Sequence, residues 1–459
     1  MNFLKRLHAA AYCFIFFICL SARAQIKDFT PIAEDKQLLT SLLAQYQQQY
    51  KEGLNKLPSG NRKDYTEVYS HRWENIKEKF DKEEVYTSPA ARKYLNSLVA
   101  EIEKGNPILR DHPVSCYFSR SGVPNASYIG EGIILFNMGL FDRMANESQV
   151  AFVLCHEMAH FLLRHSENGI DKYVATINSP EVQTQLRKIK GSEYRKNEQL
   201  QKLVKGLTFD SRRHSRDHES QADSMGVELL RHTRFDLSGA QTTLALLDVI
   251  DTDTLDVAFC LQQLFNATAY PFQKKWIAKE EGLLGGHAHL KSDIQEDSLK
   301  THPDCQLRIK LLTPLINARL SGPSLKFAVD SSTFEALKNV FRYEVIEYAY
   351  TSDNYCRSFF YTLELMQQYK TDAYLVAQTG RLMNGFYAAQ KEHRLSKVAD
   401  FPAPDYPSNY NLLLQFVQNL YLENFALINY NYLRQYHPQL DYYAPFKRAY
   451  DQSVGLAQQ

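Results

Sequence analysis

The sequence predicts an α+β fold that is predominantly α-helical, and three observations carry the prediction. Apolar residues recur with the helical period over most of the chain. Runs of β type are confined to a short region, Val114 to Phe118 and Gly132 to Asn137. The last 137 residues hold 17 of the 29 tyrosines at helical spacing. A small β-sheet within a helical domain, followed by a C-terminal helical unit, is the expected arrangement.

The first residues differ from the rest. Lys5 and Arg6 precede an apolar run from Ala9 to Leu20, and Ala22-Arg23-Ala24 has the small-x-small form of a leader-peptidase site. Cleavage after Ala24 is therefore expected, which makes the chain an exported one, periplasmic or otherwise extracytoplasmic. An uncleaved anchor is the alternative, but the run is shorter than the roughly 20 residues of a spanning helix. Lipid attachment at Cys19 is disfavoured by the bulky Phe17 and Ile18 before it. No other stretch is long and apolar enough to span a bilayer, so the mature chain is expected to have no transmembrane span.

At 459 residues the chain exceeds one small core. We divide it into a leader (1–24), an N-terminal helical arm (25–86), a central domain (87–322) and a C-terminal helical domain (323–459). Lys plus Arg number 53 against 52 Asp plus Glu, a balance that excludes a nucleic-acid footprint. Beyond the leader, Cys116, Cys155, Cys260, Cys305 and Cys356 are widely spaced with no C-x-x-C pair, so they form no disulfide framework.

Helical, polar patterning runs from Lys36 to about Lys104, broken at Pro58-Ser59-Gly60 and restarted at Ser88-Pro89. The two β-type runs read as a small hairpin-like sheet. Asn146, with Gln149 three residues on, caps a helix expected to reach about His165. The stretch 166–215 reads as a polar, basic, helical insertion. Further helices are expected from near Asp217 to Leu230, Ser238 to Ile250 and Leu255 to Phe265. Phe341 to Tyr374 resembles one degenerate tetratricopeptide unit without its closing proline; an ordinary helical bundle is the alternative.

The chemistry-bearing pattern is His156-Glu157-Met158-Ala159-His160. It sets two imidazoles at i and i+4 on one helical face, about 6 Å apart along the axis, a separation suited to two ligands of one Zn²⁺. Apolar neighbours on both sides, Ala151 to Cys155 and Phe161 to Leu163, make the helix buried nearly all round. Histidines and a carboxylate there would be costly unless paired or metal-bound. A satisfied hydrogen-bond cluster is the bland alternative.

A third histidine six residues after His160 would fall at Ser166, which excludes that solution; a thermolysin-type Asn-Glu pair near Glu181 is also missing. Glu219-Ser220-Gln221-Ala222-Asp223 followed by Gly226 puts two carboxylates and a glycine on one helical face. Glu219 can bind the metal, Asp223 can accept the free N–H of a ligating histidine, and Gly226 permits close helix approach.

Taken together, these motifs resemble the HtpX and CAAX-prenyl-protease type of zinc metallopeptidases, peptidase family M48, which is gluzincin-like. The resemblance runs from about Tyr94 to Leu312 and includes Asn125-Ala126, Gly139-Leu140-Phe141, both metal motifs, Thr301-His302-Pro303 and Arg308-Ile309. It implies His156, His160 and Glu219 as ligands of one Zn²⁺, Glu157 as general base, and an edge strand near Gly132 to Asn137 that holds extended substrate. The membrane spans of the prenyl-protease branch are absent and the insertion between the metal motifs is long. The chain looks more like the soluble periplasmic branch, such as the protease that assists outer-membrane β-barrel assembly.

His302 or Arg308 is the candidate oxyanion donor, and Arg308 is read also as a residue that supports the ligands alongside Asp223. His302 is expected either to act so, to serve as a reversible fourth ligand, or to be a structural turn residue. His165 is read as structural, His287 and His289 as exposed, and Cys155 as packing. The expected activity is zinc-dependent endopeptidase cleavage of envelope or exported proteins in quality control, with peptide or unfolded protein as substrate. The rival is a chaperone or scaffold with a regulated or vestigial site that binds partners through the C-terminal helices.

Overall fold

The structure, a computed structural model, describes residues 28–191, 216–252, 254–278, 304–318 and 324–459. Residues 1–27, which include the stretch read as a leader, residues 192–215, and His287, His289 and Thr301-His302-Pro303 lie outside the described residues.

The N-terminal helices α1 (Lys36–Asn55) and α2 (Arg62–Asp81) are followed by α3 (Pro89–Gly105) and the short α4 (Ile108–Asp111). Strands β1 (Ser115–Ser119), β2 (Ala126–Gly130) and β3 (Ile133–Asn137) form a three-stranded sheet of order β1-β3-β2. Two readings from sequence are corrected here. The Val114 and Gly132 runs do not form a hairpin: β1 and β3 are parallel neighbours, Ser115 opposite Ile133, and the hairpin partner of β3 is β2. Consequently Ile133–Asn137 is the central strand, and the edges belong to β1 and β2. The short, partly polar Ala126-Ser127-Tyr128-Ile129-Gly130 segment carries too weak an alternation to announce itself among its Gly, Pro and Asn neighbours.

Alternation along the strands gives the sheet two buried faces. Tyr117, Ile133 and Leu135 pack under Leu39, Tyr46, Trp73, Ile76 and Phe80 of α1 and α2. The opposite face, with Cys116, Phe118, Ile134 and Phe136, joins the main core. The N-terminal helices are therefore a cover for the sheet.

Beyond the sheet come α5 (Met138–Arg143) and α6 (Glu147–Leu162). The Asn146 side chain accepts from Gln149 N at 3.2 Å, and Gln149 Oε1 accepts from Ala145 N at 2.7 Å, so both cap residues work at the α6 N-terminus. The helix stops at Leu162, not at His165: Arg164 takes a left-handed conformation (φ 57°) and His165 begins α7 (His165–Ile177), followed by α8 (Pro180–Gly191). Helix α9 spans 216–231, and α10 (Ser238–Val249), α11 (Val257–Phe265) and α12 (Cys305–Asn317) complete this part.

The C-terminal unit comprises α13 (Ser331–Thr351), α14 (Tyr355–Met366), α15 (Ala373–Lys391), the single turn α16 (Leu395–Val398), α17 (Ser408–Asn419), α18 (Leu422–Leu440) and α19 (Ala444–Ala457). Asp330, Asn354 and Asp372 cap α13, α14 and α15. The core runs without a break into this unit. Phe334 and Phe341 of α13 lie 5.0 and 5.3 Å from Phe141, and Phe341 lies 4.8 Å from Phe118.

A polar anchor reinforces that junction. The fully buried Glu147, first residue of α6, accepts from the backbone N–H groups of Ala328, Val329 and Asp330 at 2.7–2.8 Å and from the Tyr94 hydroxyl at 2.9 Å. The chain leading into α13 is thus tied to the start of α6.

Glu34, Arg120 and Glu344 form a second buried tie. The Arg120 guanidinium lies 2.8 Å from Glu34 and 3.3 Å from Glu344, one cation between two carboxyls. Burial pushes Glu344 up to about 7, against the opposing pull of Arg120, and raises Glu34 also. A pKa raised on folding contributes stability that is complete below the unfolded value and disappears as pH rises through the folded one. Thermal denaturation should therefore show this contribution, on the order of 3 kcal/mol, lost between about pH 4.5 and 7. Glu344→Gln should flatten the stability profile over that interval; an unchanged profile would refute the assignment.

Candidate metal centre

Helix α6 is buried over most of its surface and presents a short polar face to a cleft. His156 and His160, one turn apart, bring their Nε2 atoms to 3.0 Å of each other. Helix α9 supplies Glu219, whose carboxylate oxygens lie 3.5 Å from each Nε2. These three donor groups all fall within 4.8 Å of one another. Gly226 makes the approach possible, since a Cβ there would sit 3.2 Å from the His156 backbone N and Cα. The glycine read from sequence as a contact point lies at that contact.

Asp223, one turn after Glu219 and 1% exposed, places Oδ1 3.0 Å from His156 Nδ1. Arg308 of α12 grips the same carboxylate through Nε and Nη2, both at 2.7 Å, and its Nη1 lies 3.4 Å from Glu219. The guanidinium expected as a candidate oxyanion donor is thus committed to two carboxylates, and its observed contacts make it a support for them. His302, the other candidate donor, lies outside the described residues.

The charges around His156 decide its state. Burial disfavours its cation, but Asp223 and Glu219 outweigh burial and raise it to about 10. His160 is pushed down to about 3 by burial and by His156 beside it. Against desolvation, His156, Arg308 and His160 hold Glu219 well below the usual carboxylate range. Two carboxylates and two imidazoles thus share one pocket, with Arg308 paired to both carboxylates.

The donor set also fits a metal ion sterically. Zn–N and Zn–O bonds of about 2.0–2.1 Å imply tetrahedral edges of about 3.3 Å, and the observed separations are 3.0–3.5 Å. His156, His160 and Glu219 could therefore hold one Zn²⁺.

Glu157, next to His156 on α6, lines the same cleft as the two histidines and Glu219. Its Oε2 accepts the Tyr128 N–H of edge strand β2 at 2.8 Å. Burial pushes its carboxyl up to about 7, with His156 and the Tyr128 N–H pulling down. The cleft around it encloses about 480 Å³, walled by Asn125–Tyr128 on the strand side and by Phe152, Thr243 and Leu247 on the helical side.

His165 is more than structural in this arrangement. Its Nδ1 lies 2.9 Å from His160 Nδ1 and its Nε2 lies 3.0 Å from Gln221 Oε1, while its ring stacks on His218. Burial holds His165 below its ordinary value. With Gln221 Oε1 accepting, the neutral ring carries hydrogen on Nε2 and offers a bare Nδ1 to His160 Nδ1–H. That leaves the His160 Nε2 lone pair facing the centre. The sequence reading missed this because the α6 helix breaks at Leu163–Arg164, which folds His165 back onto His160.

A buried His-Glu-x-x-His helix joined by a glutamate from a second helix is the arrangement of zinc-dependent hydrolases. The sequence profile of peptidase family M48 matches residues 89–316, and the chain belongs to this family. It is accordingly a metallopeptidase of a zinc-dependent family. No curated protein matches the chain.

The His165 geometry generates a prediction. His165→Phe should weaken zinc affinity by about 10- to 100-fold, as loss of a partner that orients a ligand does, measured by competition with a chelator. Unchanged affinity would reduce His165 to a space-filling role.

Proposed function

We propose that this chain is a zinc-dependent endopeptidase acting on unfolded exported proteins, with one Zn²⁺ held by His156, His160 and Glu219. The observation that carries the reading is the convergence of these three side chains, from two neighbouring helices, within 4.8 Å. When bound, Zn²⁺ supplies Lewis acidity, polarising a carbonyl and bringing the pKa of water down to about 7.

The protein groups divide the remaining work. Asp223 stands at His156 Nδ1 and His165 at His160 Nδ1, which keeps both Nε2 atoms directed to the centre. Glu157 accepts a proton from the attacking water and returns it to the departing amide nitrogen; a carboxyl near pH 7 suits both transfers. The Tyr128 N–H fixes the orientation of that carboxyl.

Because Tyr128 N–H is directed away from β3, alternate backbone groups of β2 face the cleft and can pair with an extended polypeptide. Glu157, Glu219 and Arg308 are all committed, so the described lining has no uncommitted carboxylate, lysine or arginine to capture a chain terminus. This favours cleavage within a chain.

The leader-like pattern ending at Ala24 supports action outside the cytoplasm, and no described helix is long and apolar enough to cross a membrane. A role in envelope quality control, with protein partners recruited by a tetratricopeptide-like C-terminal domain, is the corresponding biological proposal.

Glu157→Gln should lower peptide hydrolysis by about 10²- to 10⁴-fold while one zinc per chain is retained. Activity assays paired with metal analysis check this. A variant that keeps its zinc and cleaves as fast as the wild type would defeat the mechanism.

A further inference from the structure

The chain segments that wall the catalytic cleft run on to wall a second cavity. On the strand side, Asn125 to Tyr128 line the cleft, and Ser121 to Pro124, immediately before them, line a second cavity of about 750 Å³. On the helical side, Thr243 and Leu247 of α10 line the cleft, and Ile250 and Asp251, just past the end of α10, line the cavity. The same two chain segments therefore wall both spaces.

The far wall of the cavity comes from the C-terminal unit and is aromatic: Tyr348, Phe360, Tyr361, Tyr406 and Tyr410. The Arg357 guanidinium lies over the Tyr410 ring, 3.7 Å from its centroid. Tyr410 is fully buried and its hydroxyl has no hydrogen-bond partner among the described residues. The Arg143–Glu364 ion pair lies at the same cavity and leaves it without net charge from these two groups.

The loop joining the two spaces is clamped. A Cβ at Gly122 would fall 2.6 Å from the Tyr361 ring, and one at Gly139 would fall 2.1 Å from the Gly122 carbonyl oxygen. Close packing of α14 on one side and α5 on the other thus fixes the segment that leads into β2.

We propose that the cavity is a distal substrate subsite, in which a polypeptide paired with the β2 edge continues past Pro124 and seats an aromatic side chain. The inference rests on the endopeptidase reading of the cleft. Pro124 precedes Tyr128, the residue that meets Glu157, by four residues, or about 13 Å of extended chain. The seated side chain therefore lies about four to six residues from the scissile bond. A ring is favoured over an aliphatic group because edge and face contacts with several aromatic walls, and a cation over one of them, reward it beyond area alone. Aromatic side chains are buried in folded proteins, so the subsite selects segments that have lost their fold. Binding energy gained at that distance serves the reacting centre only when the substrate is long enough to span both.

The test uses fluorogenic peptides that share one cleavage sequence. Short versions end two residues from the scissile bond; long versions carry six more residues on the N-terminal or the C-terminal side, with either Tyr or Ala at the fourth to sixth positions. On one of the two sides, Tyr should raise kcat/KM about tenfold over Ala. Tyr406→Ala should bring that ratio close to one, and Tyr406→Phe should preserve it. The same labelled long peptides, titrated by fluorescence anisotropy against the Glu157→Gln protein, should show the same tenfold preference in Kd. A chain that hydrolyses nothing yet keeps the binding preference defeats the peptidase reading and leaves the subsite standing. No discrimination between Tyr and Ala on either side, or discrimination that survives Tyr406→Ala, overturns the subsite.

Discussion

Helix α6 is buried over most of its surface yet carries His156, Glu157 and His160, and the surrounding structure is arranged around the cost of that burial. The polar groups on this face meet partners drawn from several elements. Asp223 and Glu219 come from α9, Arg308 from α12, His165 from the start of α7 and the Tyr128 N–H from β2. Because the partners are scattered over the chain, the centre exists only when the whole domain is folded. The approach of α9 to α6 at Gly226 is the steric condition for it.

The same helix is fastened at its other end. Glu147 binds three consecutive backbone N–H groups of the segment entering α13, so the C-terminal unit is tied to the helix that bears the site. The shared aromatic core around Phe141 and Phe341 and the Glu34–Arg120–Glu344 group act at the same junction. A displacement of the C-terminal helices would therefore be felt at α6 and, through Tyr361 and Gly122, at the approach to the edge strand.

Helix positions and the metal motifs were legible in the sequence because they rest on local periodicity, capping and spacing. Asn146 and Gln149 mark the start of α6, the i and i+4 histidines mark its face, and the Glu219, Asp223, Gly226 spacing holds on α9 as read. Strand β2 and the sheet order were not legible, since pairing partners are set by the tertiary fold and a five-residue strand offers little pattern. The role of His165 depends on a left-handed turn at Arg164, a residue type with no special preference for that conformation. Glu147 reads from sequence as an ordinary acidic residue in the first turn of a helix; its three backbone partners lie more than 180 residues away.

The metal centre is the claim on which the functional account stands, and X-ray absorption at the zinc edge tests it most directly. The purified chain should give one zinc with a shell of two imidazole nitrogens and carboxylate oxygen at about 2.0–2.2 Å. Glu219→Ala should alter the oxygen part of that shell and leave the two imidazoles. A chain that takes up no zinc, or one whose zinc shell contains sulfur or lacks the imidazoles, would contradict the account.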